Sequence, residues 1–309
     1  MQHSQRSVTI IGFGSQAKAW ALNLRDSKID LNIALHKESK STVLAHNLGF
    51  KTILLQSEEL KKSSLVVLLI PDDQQAQFLA DNANFLNPGA HLVYAHGFAV
   101  SKFQLDKKYP QFKHSLLAPK AIASEVRLQY ETNGKIGAAI LAETKEARED
   151  LEFIAKNVGF TALYESNFDE ETKADLFSEQ SLLCSILPYA SLKAFNILRK
   201  NGVAKEVAFM ECYLELASIS KAIVSKGPEA FFNLISPNAL IGAQKGRELL
   251  IDAEFERKLE SLFADINSKK FYSEVEIDFQ SLRNKMVDEW NQEELTKVFN
   301  ELKADLIND

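Results

Sequence analysis

The sequence predicts a doubly wound α/β half followed by an all-helical half, on two observations. Up to about residue 142, short β-rich apolar runs alternate with longer helix-compatible stretches, the pattern of a parallel sheet with helices on its faces. Beyond Asp169 the strand pattern stops, and apolar residues recur at helical spacing instead. A chain of 309 residues suffices for about two domains, each with its own core. The polar stretch Tyr164-Glu165-Ser166-Asn167 marks the break, giving domains 1–166 and 167–309.

The strands expected, in order, are Val8–Ile11, Leu31–Leu35, Leu65–Ile70, His91–Tyr94, Ser115–Leu117 and Ala138–Leu141. Turn signals fall between them: Asn87-Pro88-Gly89 precedes the fourth run, and Gly49 precedes a short extended piece. The helical half rests on Leu176–Leu198, Val207–Val224 and Glu248–Ile266, and the charged tail Gln292–Asp309 keeps the period of a solvated amphipathic helix.

Composition excludes several classes of function. Acids outnumber bases 42 to 36, a net charge of −6, so the chain has no general attraction for phosphate backbones or anionic lipid, and no nucleic-acid partner is expected. The apolar run Leu65–Ile70 is far short of the roughly 20 residues of a membrane span, so no membrane partner is expected either. Polar residues Met1–Arg6 lead straight into the first strand without the apolar stretch of a secretory signal, which makes the cytoplasm the expected compartment. Cys184 and Cys212 lie in apolar helical stretches outside any CxxC pair and read as structural thiols.

Directly after the first strand comes Gly12-Phe13-Gly14-Ser15-Gln16-Ala17, the G-x-G-x-x-G/A pattern of dinucleotide binding. Gly12 permits the tight turn, Gly14 the close approach of a pyrophosphate, and Ala17 close helix–strand contact, with helix N–H groups facing the anion. At the end of the second strand, where an acid would hold the ribose diol of NAD, stands His36, followed by Lys37, Glu38, Ser39, Lys40 and Ser41. Hydroxyl and cationic donors suit a 2′-phosphate and hence NADPH; Glu38 points the other way, and such a loop is otherwise simply solvated.

In the helical half, Asp175 and Glu179 stand four apart, as do Glu211 and Glu215, so each pair shares a helix face. The segment Phe209–Leu216 offers the second pair no basic residue, and carboxylates in apolar surroundings cost several kcal/mol each unless paired, protonated or bound to a cation. All-oxygen ligands select a hard cation, Mg²⁺, and a two-ion site would polarise a carbonyl beside a nicotinamide. The plain alternative is that such pairs decorate an exposed helix. His96 follows the fourth strand, where open α/β sheets bind ligands, and is otherwise a structural donor. Lys120 follows the fifth strand and is either a surface lysine or a cation near substrate; Ser236 is either a substrate contact or an N-cap.

Taken together these stretches resemble the ketol-acid reductoisomerase family in its short, class I form, essentially end to end. The resemblance is carried by Gly12–Gln16 with Asn23-Leu24-Arg25-Asp26-Ser27, by Pro71-Asp72-Asp73-Gln74-Gln75, Ala95-His96-Gly97-Phe98 and Ala118-Pro119-Lys120, by Glu170-Glu171-Thr172 leading into Asp175–Gln180, and by Glu211–Leu216. It implies a Rossmann-like first domain and a knotted helical second one. It also implies Mg²⁺-dependent alkyl migration in a 2-acetohydroxy acid followed by hydride transfer from NADPH, in branched-chain amino acid synthesis.

By the same resemblance Asp175, Glu179, Glu211 and Glu215 correspond to the ligands of two Mg²⁺ ions, and in the reaction so implied a carboxylate such as Glu215, or metal-bound hydroxide, removes the hydroxyl proton. His96 and Lys120 match catalytic residues, and Ser236 a substrate contact. Gly12, Phe13, Gly14, Ser15, Gln16, His36, Ser39, Ser41, Asp72, Asp73, Gln74 and Gln75 would line the cofactor. The active sites would be shared between subunits of a homodimer or higher homo-oligomer. The chain departs from the family where Gly-Pro-Gly-His is replaced by Ala121-Ile122-Ala123-Ser124, where His36 replaces an arginine, and at Ala217 and Pro237. These departures leave room for a related NADPH-dependent 2-keto acid reductase of altered substrate, or for a cofactor-binding protein without turnover.

Overall fold

The computed structural model describes residues 7–274 and 278–307. The chain divides into two compact units, one ending at Ala174 and the other starting at Asp175.

In the first unit eight strands form one sheet in the order β3-β2-β1-β4-β5-β6-β7-β8. They are β1 Val8–Ile11, β2 Leu31–Leu35, β3 Lys51–Leu54, β4 Leu65–Leu68, β5 His91–Tyr94, β6 Lys113–Pro119, β7 Gly137–Leu141 and β8 Ala162–Glu165. The helices among them are α1 Ser15–Asp26, α2 Ser41–Asn47, α3 Asp72–Asn82, α4 Phe98–Phe103, α5 Leu105–Lys108, α6 Ala123–Glu131 and α7 Lys145–Val158. Ile11 lies opposite Ala34 and Leu68, so β2, β1 and β4 end level, and the strand order reverses between β1 and β4. That crevice is where doubly wound sheets bind ligands.

The six expected strands are present, and the structure adds two. β3 is the short extended piece after Gly49. β8 occupies Ala162–Glu165, part of the stretch that reads as a polar break: as an edge strand it is only half covered and carries little apolar signal. β6 and β7 pair antiparallel, so the sheet is mixed at that end. The next helix, α8 Phe168–Ser178, runs through the residues at which the units divide, so the break in contacts falls after the polar stretch.

The motif Asn23–Ser27 is structural. Asn23 is fully buried; its amide donates to the carbonyls of Val126 (3.2 Å) and Val158 (2.9 Å) and accepts from Arg127 (2.8 Å). Burial alone would raise the Asp26 carboxyl, but hydrogen bonds from Arg127 and Arg25 hold it below the ordinary carboxylate range. Ser27 Oγ donates to the Asn157 carbonyl, 2.8 Å away. The far end of α1 is thus pinned to α6 and α7.

The second unit is helical. After α8 come α9 Ile186–Lys200, α10 Lys205–Phe209, α11 Glu215–Lys226, α12 Pro228–Phe232, α13 Pro237–Leu250, α14 Ala253–Asn267, α15 Phe271–Glu274, α16 Phe279–Gln292 and α17 Glu294–Leu306. Its main core gathers Leu192, Phe195, Ala208, Phe209, Leu295 and Val298. Helices α11, α12 and α13 bury no residue, and Val224, Leu249 and Leu250 are 84, 77 and 67 % exposed. The helical stretch Phe168–Lys200 is long and apolar enough to cross a membrane by length and composition, with 22 % of its most apolar window buried. Both cysteines are free thiols, Cys184 exposed and Cys212 half-buried.

Candidate active site

The carboxyl ends of β1, β4, β5 and β6 build the site within the first unit. Gly12 ends β1 with φ +92°, a conformation that suits glycine, and a Cβ there would lie 2.6 Å from Ile70 Cγ2. Gly14 has nothing within 4 Å of where its Cβ would be, so the start of α1 faces open space, the cradle a pyrophosphate needs. Phe13 points instead into the core, edge-on to Phe50. Gln16 Nε2 donates to the Ala121 carbonyl (3.0 Å), tying this turn to the altered loop after β6. Ser15 is exposed.

Beyond β2, His36 is exposed, while Ser39 and Ser41 are half-buried, with Ser39 Oγ accepting from the Ser41 N–H at 3.3 Å. After β4, Asp73 and Gln74 are exposed at the start of α3. Gln75 is buried and donates to the Ile70 carbonyl (3.1 Å) and Asp72 Oδ1 (3.2 Å), which makes it a brace for the loop.

Asp72, expected to line the cofactor, has its Oδ2 2.9 Å from His96 Nδ1, fixing the imidazole ring at the end of β5. Glu171, on the first turns of α8, is 2 % exposed; one oxygen accepts from Lys120 Nζ at 2.6 Å and the other from the Gly97 N–H, also at 2.6 Å. Its second oxygen also lies 3.8 Å from His96 Nε2. A buried carboxylate with a lysine and a backbone donor is a satisfied charge. Gly97 has to be glycine for this contact, since a Cβ would sit 2.3 Å from the Phe168 carbonyl and 2.7 Å from Thr172 Oγ1.

Helix α8 continues to Asp175, one turn beyond Glu171, where the second unit begins. Glu171, Asp175 and Glu179 form a single stripe at successive i+4 positions. In the sequence Glu171 stands within a motif, and that stripe is the signal that singles it out. Glu179 opens a π-helical turn, Glu179–Leu183, and burial together with the nearby Glu179 and Asp175 carboxylates pushes up the Cys184 thiol.

A second π-helical turn, Met210–Leu214, carries Glu211, and Glu215 begins α11. Such turns interrupt helices often at functional sites. Both glutamates are exposed, which corrects the expectation of carboxylates in apolar surroundings: the apolar neighbours in sequence leave that face of the helix uncovered within one chain. Ser236 is also exposed and caps α13, its Oγ accepting from the Ala239 N–H at 3.2 Å.

Residues 3–162 match the family model described as "Acetohydroxy acid isomeroreductase, NADPH-binding domain", and residues 168–307 match "Ketol-acid reductoisomerase, C-terminal domain". This chain belongs to the ketol-acid reductoisomerase family. Among its relatives, the ketol-acid reductoisomerase (NADP(+)) of Sulfolobus acidocaldarius is 31 % identical over 273 residues, 86 % of this chain and 82 % of that protein. The enzyme of the same name from Saccharolobus solfataricus is 30 % identical over 275 residues, 87 % and 82 % of the two chains. The fold matches the solved NADH-preferring ketol-acid reductoisomerase from an uncultured archean, with TM-score 0.87 and 23 % identity, covering 98 % of this chain and 95 % of that one. It also resembles a semialdehyde dehydrogenase NAD-binding protein from Cupriavidus necator, with TM-score 0.65 and 19 % identity over 85 % and 99 % of the chains.

Proposed function

We propose that this chain converts 2-acetohydroxy acids to 2,3-dihydroxy acids with NADPH and two Mg²⁺ ions, as a step of branched-chain amino acid synthesis. The observation that supports this reading most is the grouping of His96, Lys120 and Glu171 at the carboxyl ends of β5 and β6 in a chain of this family. The cofactor cradle fits NADPH: Gly12 and Gly14 leave the start of α1 open, and the residues beyond β2 supply hydroxyls and cations.

The donor set fits a hard cation. Both Glu171 oxygens are engaged, by Gly97 N–H and by Lys120, which makes it a positioning residue; the family resemblance assigns Asp175 and Glu179 as the ligands on this helix. Glu211 and Glu215 complete the set from a second copy of the chain, whose α11–α13 would cover the apolar faces left bare here. When bound, Mg²⁺ supplies polarisation of the carbonyl and NADPH supplies hydride. Asp72 orients His96 and Glu171 holds Lys120, while Glu215 would accept the hydroxyl proton and Ser236 would contact the substrate.

The test follows NADPH absorbance with 2-acetolactate, 2-ketopantoate or 3-hydroxypyruvate, with and without Mg²⁺. Mg²⁺-dependent turnover of acetolactate is expected. Turnover of the simple 2-keto acids alone would instead favour the related reductase, to which the replaced loop Ala121–Ser124 points. Binding of NADPH without any turnover would leave only a cofactor-binding protein.

A further inference from the structure

We propose that Tyr94 is a positioning residue for the Lys120–Glu171 pair, its ring fixed by His114 and in turn setting where α8 begins. The consequence for turnover rests on the reading above; the geometry stands without it.

Tyr94 is the last residue of β5 and is fully buried. A phenylalanine would fill that core as well, so the hydroxyl needs its own account. On β6, His114 stands opposite Leu92 while Tyr94 stands opposite Leu116, which makes Tyr94 and His114 diagonal neighbours on one face of the sheet. The hydroxyl lies 3.0 Å from His114 Nδ1, and the two ring planes are 12° apart. On the far side of the imidazole, Nε2 lies 3.0 Å from the Tyr109 carbonyl. A carbonyl can only accept, so Nε2 carries the proton, Nδ1 is left as an acceptor, and the phenol donates to it. Burial favours these neutral forms, pushing the phenol up and the imidazole down. The tyrosine ring is thus held at its tip as well as at its root.

That ring supports Phe168, the first residue of α8: the two rings meet edge to face, with centroids 5.8 Å apart and planes at 89°. Thr172 Oγ1 donates to the Phe168 carbonyl at 2.6 Å, and Glu171, on the same turn, reaches the Gly97 N–H and Lys120. Gly97 limits how closely the helix can approach β5. An edge-to-face contact adds what a steric stop does not, a preferred place over the ring. Without the hydroxyl, His114 Nδ1 loses its donor and the ring its outer anchor. The first turn of α8 then loses a reference, and Glu171 moves with it, taking Lys120 along.

The test compares Tyr94→Phe with the double variant Tyr94→Phe, His114→Leu in the full chain. Tyr94→Phe should lower kcat for 2-acetolactate about tenfold, leave KM and the NADPH dissociation constant within about twofold, and lower the denaturant midpoint. Adding His114→Leu removes the stranded acceptor, so much of the midpoint should return while kcat does not. If kcat returns with the midpoint, Tyr94 serves stability alone and the proposal is overturned.

A second measurement needs no turnover. Among the described residues, Tyr94 and Glu171 share no hydrogen bond or ring contact, so independent sites would multiply the effects of Tyr94→Phe and Glu171→Gln on the unfolding constant in urea. Positioning requires the double variant to fall short of that product by about fivefold. Effects that multiply within about twofold overturn the proposal. If the unaltered chain turns over no acetohydroxy acid, the functional reading fails, and this cycle alone decides the positioning.

Discussion

The two units differ in how far each covers its own apolar surface. In the sheet unit, β1, β4 and β5 are buried along their whole length, with helices on both faces. In the helical unit a small core joins α9, α10 and α17, while α11 to α13 bury nothing and hold Val224, Leu249 and Leu250 out to solvent. Apolar residues on a helix report that a face is to be covered, and by themselves do not say by which chain. The central strands of the sheet unit are covered by its own helices, and on the proposed reading α11 to α13 are covered by a second copy.

That contrast can be broken most sharply at the chemistry. Asp175→Asn should lower Mg²⁺-dependent turnover by about a thousandfold, with the NADPH dissociation constant unchanged within about twofold. Steady-state assay and calorimetry measure the two, and equal loss of both would mean that cofactor and metal chemistry are not separable between the units.

Covering is tested next. Val224→Asp with Leu249→Asp places charges on bare faces of α11 and α13, and sedimentation should show a lighter species with turnover down about a hundredfold. An unchanged sedimentation coefficient and full activity would show those faces to be ordinary surface.

Within the sheet unit, Lys120→Met leaves the buried Glu171 carboxylate with the Gly97 N–H as its remaining hydrogen bond of those described, at a cost of about 3 kcal/mol in denaturant unfolding. Adding Glu171→Gln should restore much of that stability but not turnover. Asn23→Ala, far from the chemistry, should cost about 2 kcal/mol through the stranded Val126 and Val158 carbonyls, with kcat close to that of the unaltered chain.

The smallest effect concerns acid. Because the Asp26 carboxyl is held below its ordinary value, its contribution is full above the unfolded value near 3.8 and is lost as pH falls through the folded value. It is partly solvated, so Asp26→Asn should remove no more than about 1 kcal/mol at pH 7 and flatten the loss of stability below pH 4.

The sheet was legible because its central strands are buried on both faces and read as continuous apolar runs. β3 and β8 are edges, half solvated, and carry weaker patterns; β8 falls in the stretch that reads as a linker. At the candidate site, the placement of Gly12, Gly14, His96 and Lys120 at strand ends was legible from backbone constraint and strand pattern, while roles for His96 and Lys120 came only from the resemblance. Glu171 was less so, because its importance comes from contacts with Lys120 and Gly97, which lie 51 and 74 residues away. The burial assumed for Glu211 and Glu215 failed because apolar neighbours in sequence need not surround a side chain in space.

Gly97 acts as a gauge block between β5 and the start of α8. With the Phe168 carbonyl only 2.3 Å from where a methyl group would stand, alanine there would push the helix back by roughly an ångström. A displacement of that size, carried along a stiff rod to the acids it bears, is enough to idle an enzyme without unfolding it. The spacing between the end of β5 and the start of α8 is therefore set by one missing carbon atom.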